Sequence, residues 1–136
     1  LPEAIRLKKL VGRMATYLQA YGDLMVKTND WDPVILKRFR EDDFVKNFRG
    51  AIDNLATTEQ LEHVGSLIPE DWLSSAATGS PESCVGSIKE QFGMGCDGVI
   101  LHGASPEQLT PIVKAYRDQR IEGEFAHMTN NPGGVV

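Results

Sequence analysis

One stretch, residues 72–104, constrains the fold more strongly than any other part of the chain. It contains a short run of small residues at 74–78, which is followed by the start of a helix. Ser80 is a favourable N-cap, Pro81 suits the first helical position, and Glu82 places negative charge in the first turn. Apolar residues then recur at helical spacing, namely Cys84, Val85, Ile88 and Phe92. The pattern predicts a short strand followed by an amphipathic helix.

The same order of elements repeats directly afterwards. An apolar run at 98–102 is typical of a strand that is buried on both faces of a parallel sheet. Ser105 and Gln108 can form a capping box around a helix that begins at Pro106. The stretch therefore predicts a β-α-β-α unit with parallel strands and a right-handed crossover. Two parallel strands leave both sheet edges open, so we expect them to belong to a larger parallel sheet.

The part of the chain before residue 74 is predicted to be helical. A wide apolar stripe places a first helix at 2–20, and Gly22 is expected to end it. A loop is predicted at 22–32, where turn-forming residues are frequent. Asp32 precedes a proline and is interpreted as an N-cap rather than as half of a metal-binding or acid–base pair of carboxylates.

Two further helical signals follow in this part. Residues 33–49 predict a helix that is interrupted near 41–43. The capping box Thr57-x-x-Gln60 opens a helix that ends near Gly65. The predicted organisation is thus a helical segment at 1–73, the β-α-β-α unit at 74–120 and a flexible tail at 121–136.

Several aromatic side chains in the helical segment have structural interpretations. Tyr17 and Tyr21 are interpreted as packing residues with solvated hydroxyls. Trp31 is expected either to lie over a neighbouring helix or to line a pocket. His63 is interpreted as an ordinary surface or half-buried histidine, and His127 in the tail is a weak functional candidate.

Composition and charge exclude several classes of protein. The net charge is −5 and no basic block is present, which argues against nucleic-acid binding. No apolar run approaches the roughly 20 residues of a membrane span, and no secretory signal is visible. Cys84 and Cys96 lack metal-ligand spacing and are expected to be reduced thiols. We therefore expect a cytoplasmic protein without a metal site.

The chemically informative positions are the two predicted strand-to-helix loops, where α/β folds place their ligands. Thr78, Gly79 and Ser80 precede a helix N-terminus, whose free amides and positive dipole end suit a phosphate. The same residues also fit a generic helix start. His102 ends the second predicted strand and either bonds a ligand or caps the sheet edge. No Ser-His-Asp set, Walker loop or zinc motif is present.

Part of the chain resembles a known enzyme family, and the resemblance is most specific in its last third. The residues that carry it are Ile68-Pro69-Glu70-Asp71-Trp72-Leu73, Ala76-Ala77-Thr78-Gly79-Ser80-Pro81-Glu82-Ser83-Cys84 and Gly95-Cys96-Asp97-Gly98-Val99-Ile100-Leu101-His102-Gly103. Looser matches lie at Gly12-Arg13, Ala15-Thr16-Tyr17-Leu18-Gln19 and Asn29-Asp30-Trp31-Asp32-Pro33. These runs resemble the C-terminal part of luciferase-like oxidoreductases, in particular the branch that uses the 5-deazaflavin coenzyme F-420.

The resemblance implies a (β/α)₈ TIM barrel in which residues 74–78 and 98–102 are the seventh and eighth strands. In that fold a phosphate site often lies after those two strands. The resemblance therefore implies cofactor-binding roles for Thr78, Gly79, Ser80, His102 and Gly103. It also implies that the catalytic residues come from earlier strands, so none is named here.

The expected function follows from this resemblance. The chain is interpreted as a C-terminal fragment of an enzyme that transfers hydride between reduced coenzyme F-420 and an organic substrate. The fragment alone is expected to be inactive and to need self-association or the remainder of the barrel. Two alternatives stay open: an FMN-dependent monooxygenase of the same superfamily, and a non-catalytic α/β protein-interaction module.

Overall fold

All regular secondary structure in residues 1–127, the part of the chain that the computed structural model describes, is helical. The chain divides into unit 1, Leu1–Ala76, and unit 2, Ala77–Val136. Unit 1 contains α1 (Glu3–Leu7), a π-helical turn (Lys8–Gly12), α2 (Arg13–Asn29), α3 (Pro33–Glu41), α4 (Asp43–Asn47), α5 (Ile52–Leu55), α6 (Thr58–Gly65) and α7 (Glu70–Leu73). Unit 2 contains α8 (Pro81–Gly93) and α9 (Pro106–Gln119).

The predicted β-α-β-α unit and its place in a TIM barrel are wrong, because residues 1–127 contain no strand. At the first predicted strand, 74–78, the chain leaves α7 through a turn in which Ser74 N–H donates to Asp71 C=O at 3.3 Å. The second, 98–102, is irregular and forms no strand pairing with any segment of residues 1–127. The physical reason is that a strand needs a partner for its backbone groups, and two short parallel segments are too few to form a stable sheet.

The first helical segment is longer than predicted. It runs from α1 through the π-helical turn into α2, and it ends at Asn29 rather than at Gly22. Gly22 is a packing residue: a Cβ there would lie 2.7 Å from Leu36 Cδ1, so the absence of a side chain lets α3 approach. The helix ends where Asp30 adopts a left-handed conformation at φ 54°. The observed loop is therefore shorter than the predicted loop at 22–32 and contains only the residues between Asn29 and Pro33.

The core of unit 1 forms where α2, α3, the π-helical turn, α5 and α6 pack together. Its largest fully buried side chains are Phe39, Leu18, Ile52, Leu61 and Val64. Trp31 stacks on the buried Trp72 with the ring centroids 4.3 Å apart, which joins the end of α2 to α7. Of the two expected roles for Trp31, the structure thus shows packing on a helix.

Several local signals in unit 1 are confirmed. The Asp32 carboxylate accepts from Val34 N–H at 2.9 Å, as an N-cap should. The predicted interruption near 41–43 separates α3 from α4. Thr57 and Gln60 form the predicted capping box at the start of α6. Tyr21, by contrast, was expected to pack but is 61% exposed.

Unit 2 is built on two helices that lie side by side. α8 begins at the predicted N-cap Ser80, and the predicted capping box at Ser105 begins α9. The Lys89 ammonium donates to Gln119 Oε1 at 3.2 Å, and the rings of Phe92 and Tyr116 lie 6.3 Å apart. These contacts join the C-terminal halves of α8 and α9.

The core of unit 2 is small. Within residues 77–127, the buried side chains are those of Cys84, Val85 and Ile88. No residue of α9 is buried, although its apolar stripe is half-buried. Residues 121–127 form turns, with Phe125 packed 5.0 Å from the Phe92 ring. The remainder of the predicted flexible tail, 128–136, lies outside the described residues.

Candidate functional site

The loop before α8 holds three of the predicted cofactor-binding residues. Thr78, Gly79 and Ser80 are all exposed to solvent. Gly79 has φ +100°, a conformation that side-chain-bearing residues rarely adopt. The Ser80 hydroxyl accepts from Ser83 N–H at 3.2 Å, so one amide of the first turn of α8 is already satisfied. The loop thus presents an open backbone surface beside a capped helix start.

Glu82 places its carboxylate in the first turn of α8. The pKa of Glu82 lies below its ordinary value, because the carboxylate accepts hydrogen bonds from its own backbone N–H and from the Ser80 side chain. These are the groups that a bound phosphate would use. An anion at this loop must therefore displace Glu82 or bind beside it.

The loop before α9 has the same construction. His102 and Gly103 are exposed, and Gly103 has φ +86°. The pKa of Glu107 is also lowered, by its own backbone N–H and by the Ser105 side chain. Each helix start in unit 2 thus has a serine N-cap and a glutamate in its first turn.

The two loops belong to the same unit, and each precedes one of its two long helices. The side-chain contacts that join these helices are those of Lys89 with Gln119 and of Phe92 with Tyr116. Neither contact involves a residue of the loops at 78–80 and 102–103.

A polar cluster that sequence reasoning missed joins α4 to α6 in unit 1. The Asp42 carboxylate accepts from the N–H groups of Phe44 and Val45 at 3.0 and 3.2 Å and lies 2.9 Å from His63 Nε2. Burial of the Asp42 carboxyl raises its pKa, but the hydrogen bonds from Val45 N–H and His63 outweigh this and leave the pKa below its ordinary value. Asp42 is visible in the sequence only as part of a helix break, because its partner His63 is distant in the chain.

A second cluster joins α2 to α5. The Thr16 hydroxyl lies 3.0 Å from Asp53 Oδ1 and accepts from Asp53 N–H at 3.1 Å. Arg13 Nε is 3.1 Å from Asp53 Oδ2, and its guanidinium lies over the Tyr17 ring. The polar groups of this cluster bond to one another, which is a structural arrangement that joins α2 to α5.

Two open clefts are found in unit 1. The first has a volume of about 470 Å³ and lies between α2 and α3, with Asp23 and Arg40 bonded across it at 3.0 Å. The second, of about 590 Å³, is lined by residues of α4 and α6 that include His63. Neither cleft contains any of the five predicted cofactor-binding residues.

The cysteines are both free thiols, as predicted. Cys84 is buried in unit 2, and burial raises the pKa of its thiol, which keeps it protonated at neutral pH. Cys96 is exposed in the link between α8 and α9. Within residues 1–127, no group of three or more His, Cys, Asp or Glu side chains is arranged to hold a metal ion.

Comparisons with known proteins do not assign the chain to a family. No protein-family model, curated protein or solved structure matches it. Among the helices in residues 1–127, none has both the length and the apolar character needed to cross a membrane.

Proposed function

We propose that this chain is part of a luciferase-like oxidoreductase that transfers hydride between reduced coenzyme F-420 and an organic substrate. The observation that carries the proposal is the run of residues at 68–103 that resembles this family. The coenzyme would supply the redox chemistry when bound, while the protein would orient it. No residue of the chain is given a catalytic role.

The fit of this cofactor to the described residues is partial. The loops at 78–80 and 102–103 are exposed, and the absence of a side chain at Gly79 lets another group approach its backbone closely. The two helix starts carry the positive ends of their dipoles, which favour an anionic group. Glu82 and Glu107 oppose such a group, because each places a negative charge in the first turn of its helix.

The proposal places specific roles on this chain's residues. The backbone at Gly79 would approach an anionic part of the cofactor, and the Ser80 hydroxyl would donate to it. His102 would offer a ring nitrogen from the second loop, since its imidazole is exposed. The Glu82 side chain would have to rotate away from the anionic group, and its negative charge would weaken binding of the cofactor.

The direct test is a titration of coenzyme F-420 and, separately, of FMN into the full chain, followed by cofactor fluorescence. Saturable binding of F-420 alone supports the proposal. Saturable binding of FMN alone favours the alternative, an FMN-dependent monooxygenase, which would also consume oxygen when reduced flavin is added. Binding of neither cofactor contradicts the assigned loop residues.

Two substitutions sharpen this test. Gly79→Val should weaken F-420 binding, because the new side chain strains a backbone at φ +100° and blocks close approach. Glu82→Gln should strengthen it, because the competing negative charge is removed. Gly86→Ala is the matched control: it lies in α8 with nothing within 4 Å of the added Cβ, and it should leave affinity unchanged.

A second candidate is a non-catalytic protein-interaction module, and one observation favours it. Ile100 is 90% exposed and Met94 is 70% exposed in the link between α8 and α9. Exposed apolar side chains favour association with another protein surface. Sedimentation of the chain and of Ile100→Asp tests this: association that the substitution abolishes, without binding of either cofactor, would favour the module over the enzyme.

A further inference from the structure

Helix α2 is apolar on two opposite faces, and only one of them is covered. Its inner face carries Ala15, Leu18, Gly22 and Val26, which are buried in the core of unit 1. Its outer face carries Tyr17, Tyr21 and Leu24, which are 39%, 61% and 64% exposed. A helix with apolar residues only on its inner face needs no further partner, whereas one apolar on both faces normally has a partner on each side.

The spacing of the exposed residues is that of a helix–helix contact. Tyr17, Tyr21 and Leu24 follow one another at intervals of four and three residues, the pattern with which one helix packs along another. The half-buried Met14 and Met25 border this stripe on one side. Methionine adapts its shape to a partner and is frequent at binding surfaces. The stripe thus has the register and side-chain types of a docking surface for a helix.

The other border of the stripe is basic. Arg13 and Lys27 lie along it, with Ala20 midway between them at seven-residue spacing. Lys27 makes no ion pair among the described residues. The nearby Asp23 carboxylate instead accepts from both terminal nitrogens of Arg40, each at an N–O distance of 3.0 Å. Arg13 pairs with Asp53 but keeps 41% of its side chain exposed. The acidic residue of α2, Asp23, lies beside this border, and Arg40 neutralises its charge. The surface is therefore complementary to a helix with acidic flanks.

We propose that this outer face of α2 binds an amphipathic helix of another protein whose apolar stripe is flanked by glutamate or aspartate. A second copy of the chain fits less well. When two α2 helices pack antiparallel on this stripe, Lys27 of one copy comes beside Arg13 of the other, and the like charges repel. The acidic helix instead places opposite charges at both positions. This proposal does not depend on the cofactor assigned above.

The test uses two synthetic peptides of three heptads with leucine at the contact positions. One carries glutamate at the flanking positions, and the other carries lysine there. Each is labelled and titrated with the full chain, and binding is followed by fluorescence anisotropy. The glutamate peptide should bind about tenfold more tightly than the lysine peptide, since exposed charge pairs each change affinity by a few-fold. Equal binding of the two peptides, or no binding of the glutamate peptide, overturns the proposal.

Three variants locate the binding surface. Tyr21→Glu combined with Leu24→Glu should weaken the glutamate peptide at least tenfold, because both apolar anchors are lost. Val34→Glu is the matched control, since it also places a glutamate at an exposed apolar position, 49% exposed, but on α3. Lys27→Glu should weaken the glutamate peptide and strengthen the lysine peptide by a few-fold each. Thermal unfolding of each variant verifies that the fold is retained.

Sedimentation of the chain without peptide identifies the competing occupant. A monomer that binds the glutamate peptide supports the proposal. A dimer that the Tyr21→Glu, Leu24→Glu variant dissociates overturns it in favour of a second copy. Loss of peptide binding in Val34→Glu also contradicts it, because the surface would then not be the stripe on α2.

Discussion

Gly12→Ala is expected to destabilise unit 1, although alanine is the better helix former. Gly12 ends the π-helical turn and is buried against α5 and α6. An added Cβ would lie 2.9 Å from Asp53 Cα and 3.2 Å from Leu61 Cδ2. The first of these is backbone and cannot rotate away, so the helices must separate.

The size of the effect follows from two opposing terms. Replacing glycine by alanine inside a helix stabilises by about 0.5–1 kcal/mol. Forcing one extra carbon into a well-packed contact costs about 1–3 kcal/mol, and a backbone neighbour places the cost toward the upper end. The net expectation for Gly12→Ala is a loss of about 1–2 kcal/mol in the free energy of unfolding.

Other glycines of the chain provide matched controls. At Gly65 an added Cβ would lie 3.5 Å from Val11 Cγ2, an ordinary contact, so Gly65→Ala should be neutral or stabilising. At Gly22 the nearest atom is Leu36 Cδ1 at 2.7 Å, the end of a side chain that can shift, so Gly22→Ala should cost less than Gly12→Ala. The same chemical change thus has three expected outcomes that depend only on the neighbouring atoms.

Urea unfolding followed by tryptophan fluorescence is the appropriate assay, because both tryptophans, Trp31 and Trp72, belong to unit 1. The midpoint should fall for Gly12→Ala and should not fall for Gly65→Ala, with an unchanged dependence on urea concentration. If Gly12→Ala is as stable as the wild type, the close approach of Gly12 to Asp53 is not a constraint on the fold and the reasoning is wrong.

Three further predictions concern individual contacts. Asp42→Ala should lower the unfolding free energy by about 1–2 kcal/mol in urea titrations, because the cap of α4 and the contact with His63 are lost together. The pKa of Asp42 is lower in the folded state than in the unfolded chain. The stabilisation is therefore complete above pH about 4 and is lost as the pH falls through the folded-state pKa. If the wild type still has the higher unfolding free energy at pH 2, this reasoning is contradicted. Ser105→Ala should speed amide hydrogen exchange at the start of α9 about fivefold, since a capping box is removed. Trp31→Phe should remove the coupled indole signal from near-ultraviolet circular dichroism and leave Trp72 more exposed to fluorescence quenchers.

Local signals in the sequence predicted the starts of several helices correctly. Asp32, Ser80 and Ser105 cap the helices expected of them, as does the Thr57–Gln60 box. An N-cap bond joins groups that are two or three residues apart, so the sequence contains nearly all the information needed to predict it.

The end of the first long helix illustrates where such reasoning fails. Glycine often ends a helix, and Gly22 was expected to do so. In the structure its missing side chain serves a contact with Leu36 on another helix, and α2 continues to Asn29. The sequence around Gly22 does not distinguish a helix-ending glycine from a packing glycine, because the difference depends on a residue from α3.

The candidate site could be predicted only as a set of positions. Thr78–Ser80 and His102–Gly103 were expected at one edge of a sheet, and they lie instead in exposed loops before two helices. The local pattern of Gly, Ser, Pro and Glu indicated the helix starts. That pattern did not reveal the lowered pKa values of Glu82 and Glu107, which depend on how each side chain lies against its own backbone N–H and the capping serine.

The sequence by itself determined the helix caps, the apolar stripes and the absence of a run of basic residues, since each of these depends on near neighbours or on composition. Only the tertiary structure decided that 74–78 and 98–102 are not strands, that α2 continues past Gly22, and that Asp42 meets His63. These outcomes depend on partners distant in the chain. A strand in particular exists only when another segment pairs with its backbone, and an apolar run alone cannot supply that segment.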